Sequence, residues 1–230
     1  MKRVMIFSGA GLSAESGLKT FRDSGGLWEE HDVMEVCSAE GFKRDRQKVL
    51  HFYDERRIQL REVAPNAAHK MIARLQGEFG ESVRIITQNV DDLLERAGCE
   101  NVVHVHGFLP EVYCQSCGRV ENIGYHALTE PKCPCGGDMR HHIVMFGEQA
   151  PHYATLYAEL EALMECDGLL VCIGTSGEVI NIAQFTPCAK VSVLNNLESS
   201  HLDRYFTHCF IESATSAAPK IESLVREFLL

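Results

Sequence analysis

The sequence lacks any apolar run approaching the ~20 residues that a membrane-spanning helix needs. Two basic residues, Lys2 and Arg3, precede an apolar stretch near the N-terminus. That stretch is too short for a signal peptide and leads directly into a glycine turn. We therefore interpret residues 4–8 as a first core strand. The absence of both kinds of segment predicts a cytoplasmic protein without a membrane partner.

Positive charge is also scarce, because the chain has 22 basic and 32 acidic residues and a net charge of −10. Binding to nucleic acid needs a basic footprint, so we expect no nucleic-acid partner. Internal repeats and low-complexity segments are absent as well. The 230 residues, 45% of them hydrophobic, suffice for one large domain with a small insert.

Short apolar runs alternate with amphipathic segments, and this alternation predicts an α/β fold with a Rossmann-like, doubly wound parallel sheet. The expected strands are Val4–Ser8, Val83–Thr87, Val102–Val105, Leu169–Ile173, Val191–Leu194 and Cys209–Ile211. The expected helices are Asn66–Phe79, Asp91–Ala97, Tyr153–Cys166 and Pro219–Leu230. Two regions interrupt the alternation: residues 17–65, which indicate helices, and residues 114–140, which are rich in Cys, Gly and Pro.

A glycine turn follows the first strand, where Gly9, Gly11 and Ala14 match the pattern G-x-G-x-x-G/A. Such glycines let the backbone approach a pyrophosphate, and the next helix offers its N-terminal amides. A plain tight turn explains the same residues equally well. The acidic residue that usually ends the second strand of such a unit is missing. A loop at residues 20–29 stands there instead, and we interpret it as a cover for the cofactor.

Cysteine is abundant, with ten residues in the chain. Cys114 and Cys117 form a C-x-x-C pair, and Cys133 and Cys135 follow after fifteen residues as a C-x-C pair. Two such pairs are typical of a tetrahedral zinc site, which is structural because four sulfur ligands leave no open position. Redox-active thiols are the alternative. We expect the six scattered cysteines to be small core residues: Cys37, Cys99, Cys166, Cys172, Cys188 and Cys209.

Polar residues also follow two other expected strands, at the ends where ligands bind in open α/β sheets. The amides of Gln88 and Asn89 suit a carboxamide group, although a capping turn would use the same residues. His104 and His106 lie at the end of another strand, on one face if the strand runs on. An imidazole that is neutral near physiological pH suits proton abstraction. The residues alone leave these two histidines equal candidates.

Taken together, the motifs resemble the sirtuin family, and specifically bacterial NAD-dependent protein deacylases of the desuccinylase/demalonylase-like subgroup. The resemblance runs nearly from end to end. It rests on Gly9-Ala10-Gly11-Leu12-Ser13, Thr20-Phe21-Arg22, Gly26-Leu27-Trp28, Thr87-Gln88-Asn89-Val90-Asp91, His106-Gly107, the four paired cysteines, Phe146-Gly147-Glu148, Gly174-Thr175-Ser176 and Asn196-Leu197-Glu198.

The resemblance implies a site for NAD as a consumed co-substrate. Its residues would be Gly9, Ala10, Gly11, Ser13, Glu15, Thr20, Phe21, Arg22, Trp28, Gln88, Asn89, Asp91, His106, Gly174, Thr175, Ser176, Asn196, Leu197, Glu198 and Ala214. It implies that Val144, Phe146, Gly147 and Glu148 pair with the substrate backbone as an added strand. It selects His106 over His104 as the catalytic base. It also implies one structural zinc and acylated-lysine proteins or peptides as partners, with a monomer as a plausible state.

In this family, the acyl-lysine carbonyl oxygen attacks the nicotinamide ribose and nicotinamide leaves. The base then activates a ribose hydroxyl, and the acyl group ends on ADP-ribose. The resemblance further implies one catalytic domain over residues 1–230. Its NAD-binding part would span about 1–36, 82–110 and 146–230, with a helical insert at about 37–81 and the zinc module at about 111–145.

The acyl group is suggested by Tyr53 and Arg56, which match the Tyr and Arg three residues apart in the subgroup that removes acidic acyl groups. On a helix these side chains share a face, where they could hold the distal carboxylate of succinyl- or malonyl-lysine. An amphipathic helix with a solvated arginine is the alternative, since Arg57 and Arg61 are equally good candidates when only the sequence is considered.

Departures from the family pattern occur on the peptide side, at His141, Met145 and Asn181, and they leave the peptide preference open. Three other functions also stay open: an NAD or ADP-ribose sensor, an NAD-dependent oxidoreductase and a mono-ADP-ribosyltransferase. A sensor would not need His106, and an oxidoreductase would form NADH.

Overall fold

A computed structural model of the protein describes residues 2–18, the backbone of 27–28, and residues 31–230. The strands are β1 (Lys2–Ser8), β2 (Leu27–Trp28), β3 (His31–Asp32), β4 (Val83–Thr87), β5 (Val103–His104), β6 (Gly107–Cys114), β7 (Val120–Asn122), β8 (Met139–Ile143), β9 (Asp167–Ile173), β10 (Val191–Asn196) and β11 (His208–Ile211). The helices are α1 (Gly11–Ala14), α2 (Val33–Val36), α3 (Ala39–Arg44), α4 (Arg46–Leu60), α5 (Ala67–Phe79), α6 (Leu93–Ala97), α7 (Tyr153–Met164) and α8 (Ala214–Leu229). Short 3₁₀ helices occupy Gly80–Ser82, Ile182–Cys188 and Asp203–Tyr205.

The main sheet has six parallel strands in the order β11-β10-β9-β1-β4-β5. All six strands predicted from the sequence belong to it, so the predicted doubly wound α/β fold is confirmed. The chain runs outward from β1 in both directions. The order therefore reverses beside β1 and β9, and ligands bind at the carboxyl ends of strands at such a switch point.

Two apolar layers cover the sheet, as its near-continuous hydrophobic strands require. One face packs against α5 and α8, with Ile6, Leu75 and Ile221 in its core. The other face packs against α7 and the 3₁₀ helix at Ile182–Cys188, with Phe7 and Leu160 in its core. Among the residues that the structure describes, no helix has both the length and the apolar character to cross a membrane.

A third core joins α2, α3 and α4 to the strand ends of β6 and β8, through residues such as Phe52, Leu109 and Ile143. Helix α5 lies instead on the main sheet, although the sequence placed it in the helical insert at 37–81. The division of the chain into an NAD-binding part, an insert and a zinc module stays a prediction.

The bounds of helix α8 and strand β5 differ from those predicted. Helix α8 begins five residues before Pro219, because Ser213 caps it by accepting a hydrogen bond from the Ser216 N–H and because Glu15 accepts one from the Thr215 N–H. Strand β5 is shorter than predicted and ends at His104. This early end changes the direction of the side chains that follow it.

Candidate active site

Three glycines bring the turns after β1 and β9 into direct contact. The Gly9 N–H donates to Ile173 O and the Gly11 N–H donates to Gly174 O, both at 2.9 Å. A Cβ on Gly11 would lie 2.7 Å from the Gly174 Cα, and Gly174 itself has a φ of +66°. Side chains at these positions would therefore push the two turns apart. The glycines keep bare backbone at the switch point of the sheet, where an anionic ligand can approach it.

A buried polar cluster lies directly below this turn. The Ser13 hydroxyl donates to Asp91 at 2.9 Å and accepts from the Asn89 side-chain amide at 3.1 Å. His69 Nε2 lies 3.3 Å from the same hydroxyl, while the Asn66 N–H faces His69 Nδ1. Burial raises the pKa of Asp91 and lowers the pKa of His69 to about 4. The cluster therefore holds a neutral imidazole and fixes α1, α5 and the residues after β4 in one arrangement.

The strand ends are joined by side-chain amides. Gln88 donates from Nε2 to the Thr175 hydroxyl at 2.9 Å, and Asn196 donates from Nδ2 to Thr175 O at 3.0 Å. These contacts tie the ends of β4, β9 and β10 together around one opening. The Glu15 carboxylate also borders the opening, and it accepts from both the N–H and the hydroxyl of Thr215.

His106 lies beyond the end of β5 and faces the same opening. Its Nδ1 lies 3.1 Å from Gln88 O, so this nitrogen carries the proton, and its Nε2 accepts a hydrogen bond from the Tyr153 hydroxyl at 3.0 Å. Burial lowers the pKa of His106, and the contact with Gln88 opposes this only in part. The imidazole is therefore neutral, with a lone pair on the nitrogen that faces the cavity.

His104 has different surroundings. Its Nδ1 lies 2.7 Å from Asn89 O and its Nε2 lies 2.8 Å from the Glu95 carboxylate, so both ring nitrogens have partners within the protein. The ring also packs against Phe108 at 4.7 Å and lines a separate shallow cleft. His104 thus serves packing at the edge of the sheet.

Tyr53 and Arg56 lie on the face of α4 that borders the opening. Tyr53 is only 4% exposed, and its phenol lies beside the thiol of Cys37. Burial raises the pKa values of Tyr53 and Cys37, so both groups are neutral. The Arg56 guanidinium lies 5.3 Å from the centre of the Phe52 ring. One cation and one phenol therefore share this end of the cavity.

The segment after β8 forms the opposite wall. The Phe146 N–H donates to Cys37 O and Phe146 O accepts from the Ala39 N–H, which makes a parallel bridge to the residues before α3. Glu148 forms a two-pronged ion pair with the buried Arg140, at 2.6 and 3.2 Å. The Phe146 side chain is 40% exposed. Both backbone groups of Phe146 are therefore paired within the protein.

All these walls enclose one cavity of about 1120 Å³. The expected NAD residues that line it are Gly9, Ala10, Gly11, Ser13, Glu15, Gln88, Asn89, Asp91, His106, Gly174, Thr175, Ser176, Asn196, Leu197, Glu198 and Ala214. The expected substrate residues Tyr53, Arg56, Val144, Phe146, Gly147 and Glu148 line it too. The remaining expectations, on Thr20, Phe21, Arg22 and the Trp28 side chain, fall outside the residues that the structure describes.

The four paired cysteines come together at one end of the three-stranded sheet β7-β6-β8. The Cys114 and Cys135 sulfurs lie 3.5 Å apart, those of Cys117 and Cys133 lie 3.8 Å apart, and all four lie within 4.8 Å of one another. Zn–S bonds of ~2.3 Å in a tetrahedron require sulfurs about 3.8 Å apart. Backbone N–H groups, first that of Cys117, lower the pKa of Cys114 to about 6, which favours a thiolate ligand. The donors fit a structural zinc.

Comparison with known proteins decides the family. The profile of the Sir2 family matches residues 9–181. A protein of Campylobacter jejuni subsp. jejuni serotype O:2 named NAD-dependent protein deacylase is 54% identical over 232 residues, which cover 100% of this chain and 98% of the relative. The chain belongs to the Sir2 family.

Other Sir2 proteins give the same picture. An Escherichia coli K12 protein, also named NAD-dependent protein deacylase, is 41% identical over 97% of this chain and 82% of its own length. The crystal structure of a Sir2 homolog–NAD complex superposes with a TM-score of 0.86 at 32% identity, covering 100% of this chain and 91% of that one. A mutant Sir2 homologue with ADP ribose also gives 0.86 at 32% identity, over 99% and 93% of the two chains.

Three residues of this Sir2 site were missed by the sequence reasoning. Tyr153 touches the imidazole of His106, Cys37 touches the phenol of Tyr53, and His69 supports Ser13. Tyr153 and Cys37 lie at the beginning or end of helices, where nothing in the local pattern marks a ligand-facing side chain. His69 had a usable signal, since it is the third residue of α5 after Asn66 and completes the capping box there.

Proposed function

We propose that this chain removes acyl groups from protein lysines with consumption of NAD, and that it favours acyl chains that end in a carboxylate. The observation that carries the proposal is one continuous cavity. It joins the glycine turn, the neutral His106 and the pair Tyr53 and Arg56. The curated relatives at 54% and 41% identity are named NAD-dependent protein deacylases, which supports the same reaction.

The roles that the resemblance implies are supported by the geometry of the described residues. NAD supplies the ribose that receives the acyl group and nicotinamide as the leaving group. Gly9, Gly11 and Gly174 present backbone to the diphosphate, and the amides of Gln88 and Asn89 suit the carboxamide. His106 holds its proton on Nδ1 against Gln88 O, so Nε2 is free to take a proton from a ribose hydroxyl once Tyr153 gives way.

At the acyl end, an arriving carboxylate needs donors because it loses its water there. The Arg56 guanidinium can offer two parallel N–H groups and Tyr53 can offer its hydroxyl. The two neighbouring arginines are placed differently. Arg57 is fully buried against backbone carbonyls, and Arg61 is exposed and reaches Tyr125 O. Neither of these two lines the cavity, which supports Arg56 as the acyl-reading residue.

The test compares Arg56→Met with Arg61→Met on matched acetyl- and succinyl-lysine peptides. Loss of one partner of a desolvated charge pair costs roughly 2–5 kcal/mol, so Arg56→Met should lower kcat/KM for the succinyl peptide by about 30-fold or more. The acetyl reaction should change little, because acetyl has no carboxylate. Arg61→Met should leave both reactions unchanged. Equal losses on the two peptides in Arg56→Met would show that Arg56 does not read the acyl group.

The alternative reactions have separate readouts in the same assay. Mono-ADP-ribosyl transfer would add ADP-ribose to the peptide, which mass spectrometry detects, whereas deacylation shortens the peptide by its acyl group. A sensor would bind NAD without releasing nicotinamide, and an oxidoreductase would form NADH. The cytoplasmic location, the lack of a nucleic-acid partner and the monomeric state stay predictions.

A further inference from the structure

Helix α4 has two polar faces that serve different neighbours. Tyr53 and Arg56 face the cavity, and one residue further along, Asp54 and Arg57 face the sheet that carries the cysteine cluster. Side chains three apart on a helix share a face, so each pair acts from one side. We call the side chains of Asp54, Arg57 and His141 the α4 junction. Nothing in the proposed reaction uses these three side chains.

Arg57 is the fixed centre of the α4 junction. Its side chain has no exposed surface and donates three hydrogen bonds to backbone carbonyls, to Leu109 O at 2.8 Å, Glu111 O at 3.1 Å and His126 O at 3.2 Å. Two of these carbonyls belong to β6, the strand that ends in Cys114. A guanidinium bound to three fixed carbonyls determines both the position and the rotation of α4 relative to that strand.

His141 completes the α4 junction from β8. Its ring is buried, and Nε2 donates to Asp54 Oδ1 at 2.8 Å, while the same carboxylate accepts from the Leu128 N–H at 3.0 Å. Burial raises the pKa of Asp54, but the hydrogen bonds from His141 and Leu128 outweigh it and hold the pKa below its ordinary value. The His141 ring also lies 5.6 Å from the Tyr53 ring. Strand β8 therefore reaches both faces of α4.

From this arrangement we infer that the α4 junction positions Tyr53 and Arg56, so that the cysteine-bearing sheet sets acyl selectivity through Asp54, Arg57 and His141. The inference rests on the proposed role of Tyr53 and Arg56. Recognition of a carboxylate by two donors needs them placed to within ~0.5 Å. His141 does not line the cavity. It acts on Arg56 through α4 and on Tyr53 through α4 and the contact between their rings, so it is a positioning residue here.

Strand β8 offers a matched control. His142 follows His141 on the opposite face of the strand, is half-exposed and pairs with Glu111 at 2.8 Å. The test therefore makes the same substitution at both positions, His141→Phe and His142→Phe. Phenylalanine keeps the ring and removes the hydrogen bond. A third variant, His141→Gln, restores an N–H donor that can reach Asp54.

The expected result for His141→Phe is a rise in KM for the succinyl-lysine peptide on the order of tenfold, below the ~100-fold that a 1 Å misplacement can cost. KM for the acetyl-lysine peptide and the affinity for ADP-ribose should stay near those of the parent protein. His142→Phe should leave both peptides unchanged, and His141→Gln should recover most of the selectivity. Hydrogen exchange of residues 46–60 should increase in His141→Phe alone.

Losses of the same factor on both peptides in His141→Phe would overturn the inference, and so would an unchanged ratio of the two KM values. If His141→Phe does not fold, Asp54→Asn makes the same comparison with both acceptor contacts kept and the charge removed, and a smaller shift in the same direction is expected. The proposed function is judged separately by Arg56→Met. If the succinyl preference is lost in Arg56→Met but kept in His141→Phe, the inference about the α4 junction is contradicted, while the proposed function is not.

Discussion

His104 and His106 lie two residues apart, yet they have unrelated surroundings. The sequence left them equal because a strand that ran on would place both on one face. Strand β5 ends at His104, so the chain turns before His106 and the alternation no longer holds. Glu95 and Asn89 O are then the partners of the two ring nitrogens of His104, while His106 faces the cavity. Only the position of a strand end, which sequence patterns give least well, separates the two residues.

We predict that His106→Ala lowers kcat by about 10²–10⁴-fold, because a positioned general base contributes that much. Binding of ADP-ribose should be retained, and isothermal calorimetry with single-turnover rates would separate the two effects. His104→Gln is the control, with a lower Tm but near-normal turnover per folded molecule. A fully active, folded His106→Ala protein would remove His106 from the mechanism.

The pH dependence of kcat/KM should also reflect His106. Because burial lowers the pKa of His106 from 6.5, the neutral base persists to lower pH and the acidic limb of kcat/KM should lie below pH 6.5.

The sheet β7-β6-β8 shows what sequence patterns miss at the scale of an element. The sequence pointed to a cysteine-rich insert here but did not predict its strands. Strand β7 is exposed throughout, and β6 carries Pro110 within an otherwise alternating run, so neither stands out as a strand in the sequence. The apolar cluster around the cysteines is small, with four buried residues, Val112, Cys114, Cys133 and Met139. We therefore expect a metal ion held by the four cysteines to contribute much of the stability of this end of the sheet.

We predict about one zinc per chain, held by the four cysteines, and a strongly destabilised protein when one ligand is lost. Structural zinc sites couple metal binding to folding, so Cys133→Ser should lower Tm and solubility before it alters chemistry. Metal analysis and thermal unfolding with and without a chelator would measure this. Cys209→Ser is the matched control, because Cys209 is exposed and outside the cluster. A folded, active and metal-free parent protein would contradict the prediction.

At the scale of the whole molecule, the sheet was the most predictable part. Its four central strands, β10, β9, β1 and β4, are apolar runs that are almost entirely buried, and such runs stand out from the amphipathic helices between them. The order of the strands was not derivable in the same way, since Val4 pairs with Val83 on one side and Leu169 on the other. The acyl end was the least predictable, because the choice among Arg56, Arg57 and Arg61 depends on what packs against each face of α4.

The buried His69 makes the stability of the whole molecule pH-dependent. Its pKa is about 4 when folded, against 6.5 for a free imidazole, so the unfolded chain binds this proton first as the pH falls. Stability from this group is complete above pH 6.5 and is lost towards pH 4, by about 3 kcal/mol. Urea unfolding at pH 7 and pH 4 should show a smaller loss in His69→Gln than in the parent protein. Equal losses in the two proteins would show that His69 is not the responsible group.

The place of β1 in the centre of the sheet has a consequence for biosynthesis. Both of its neighbours come later in the chain, β4 at residues 83–87 and β9 at residues 167–173. At translation rates of ~5–20 residues per second, the second neighbour leaves the ribosome roughly 10–30 s after β1. Throughout that interval the nascent chain carries a strand as apolar as Val4–Phe7 with at least one unpaired edge. Such an edge is a template for pairing with other chains, so we expect the need for chaperones to be greatest in this interval.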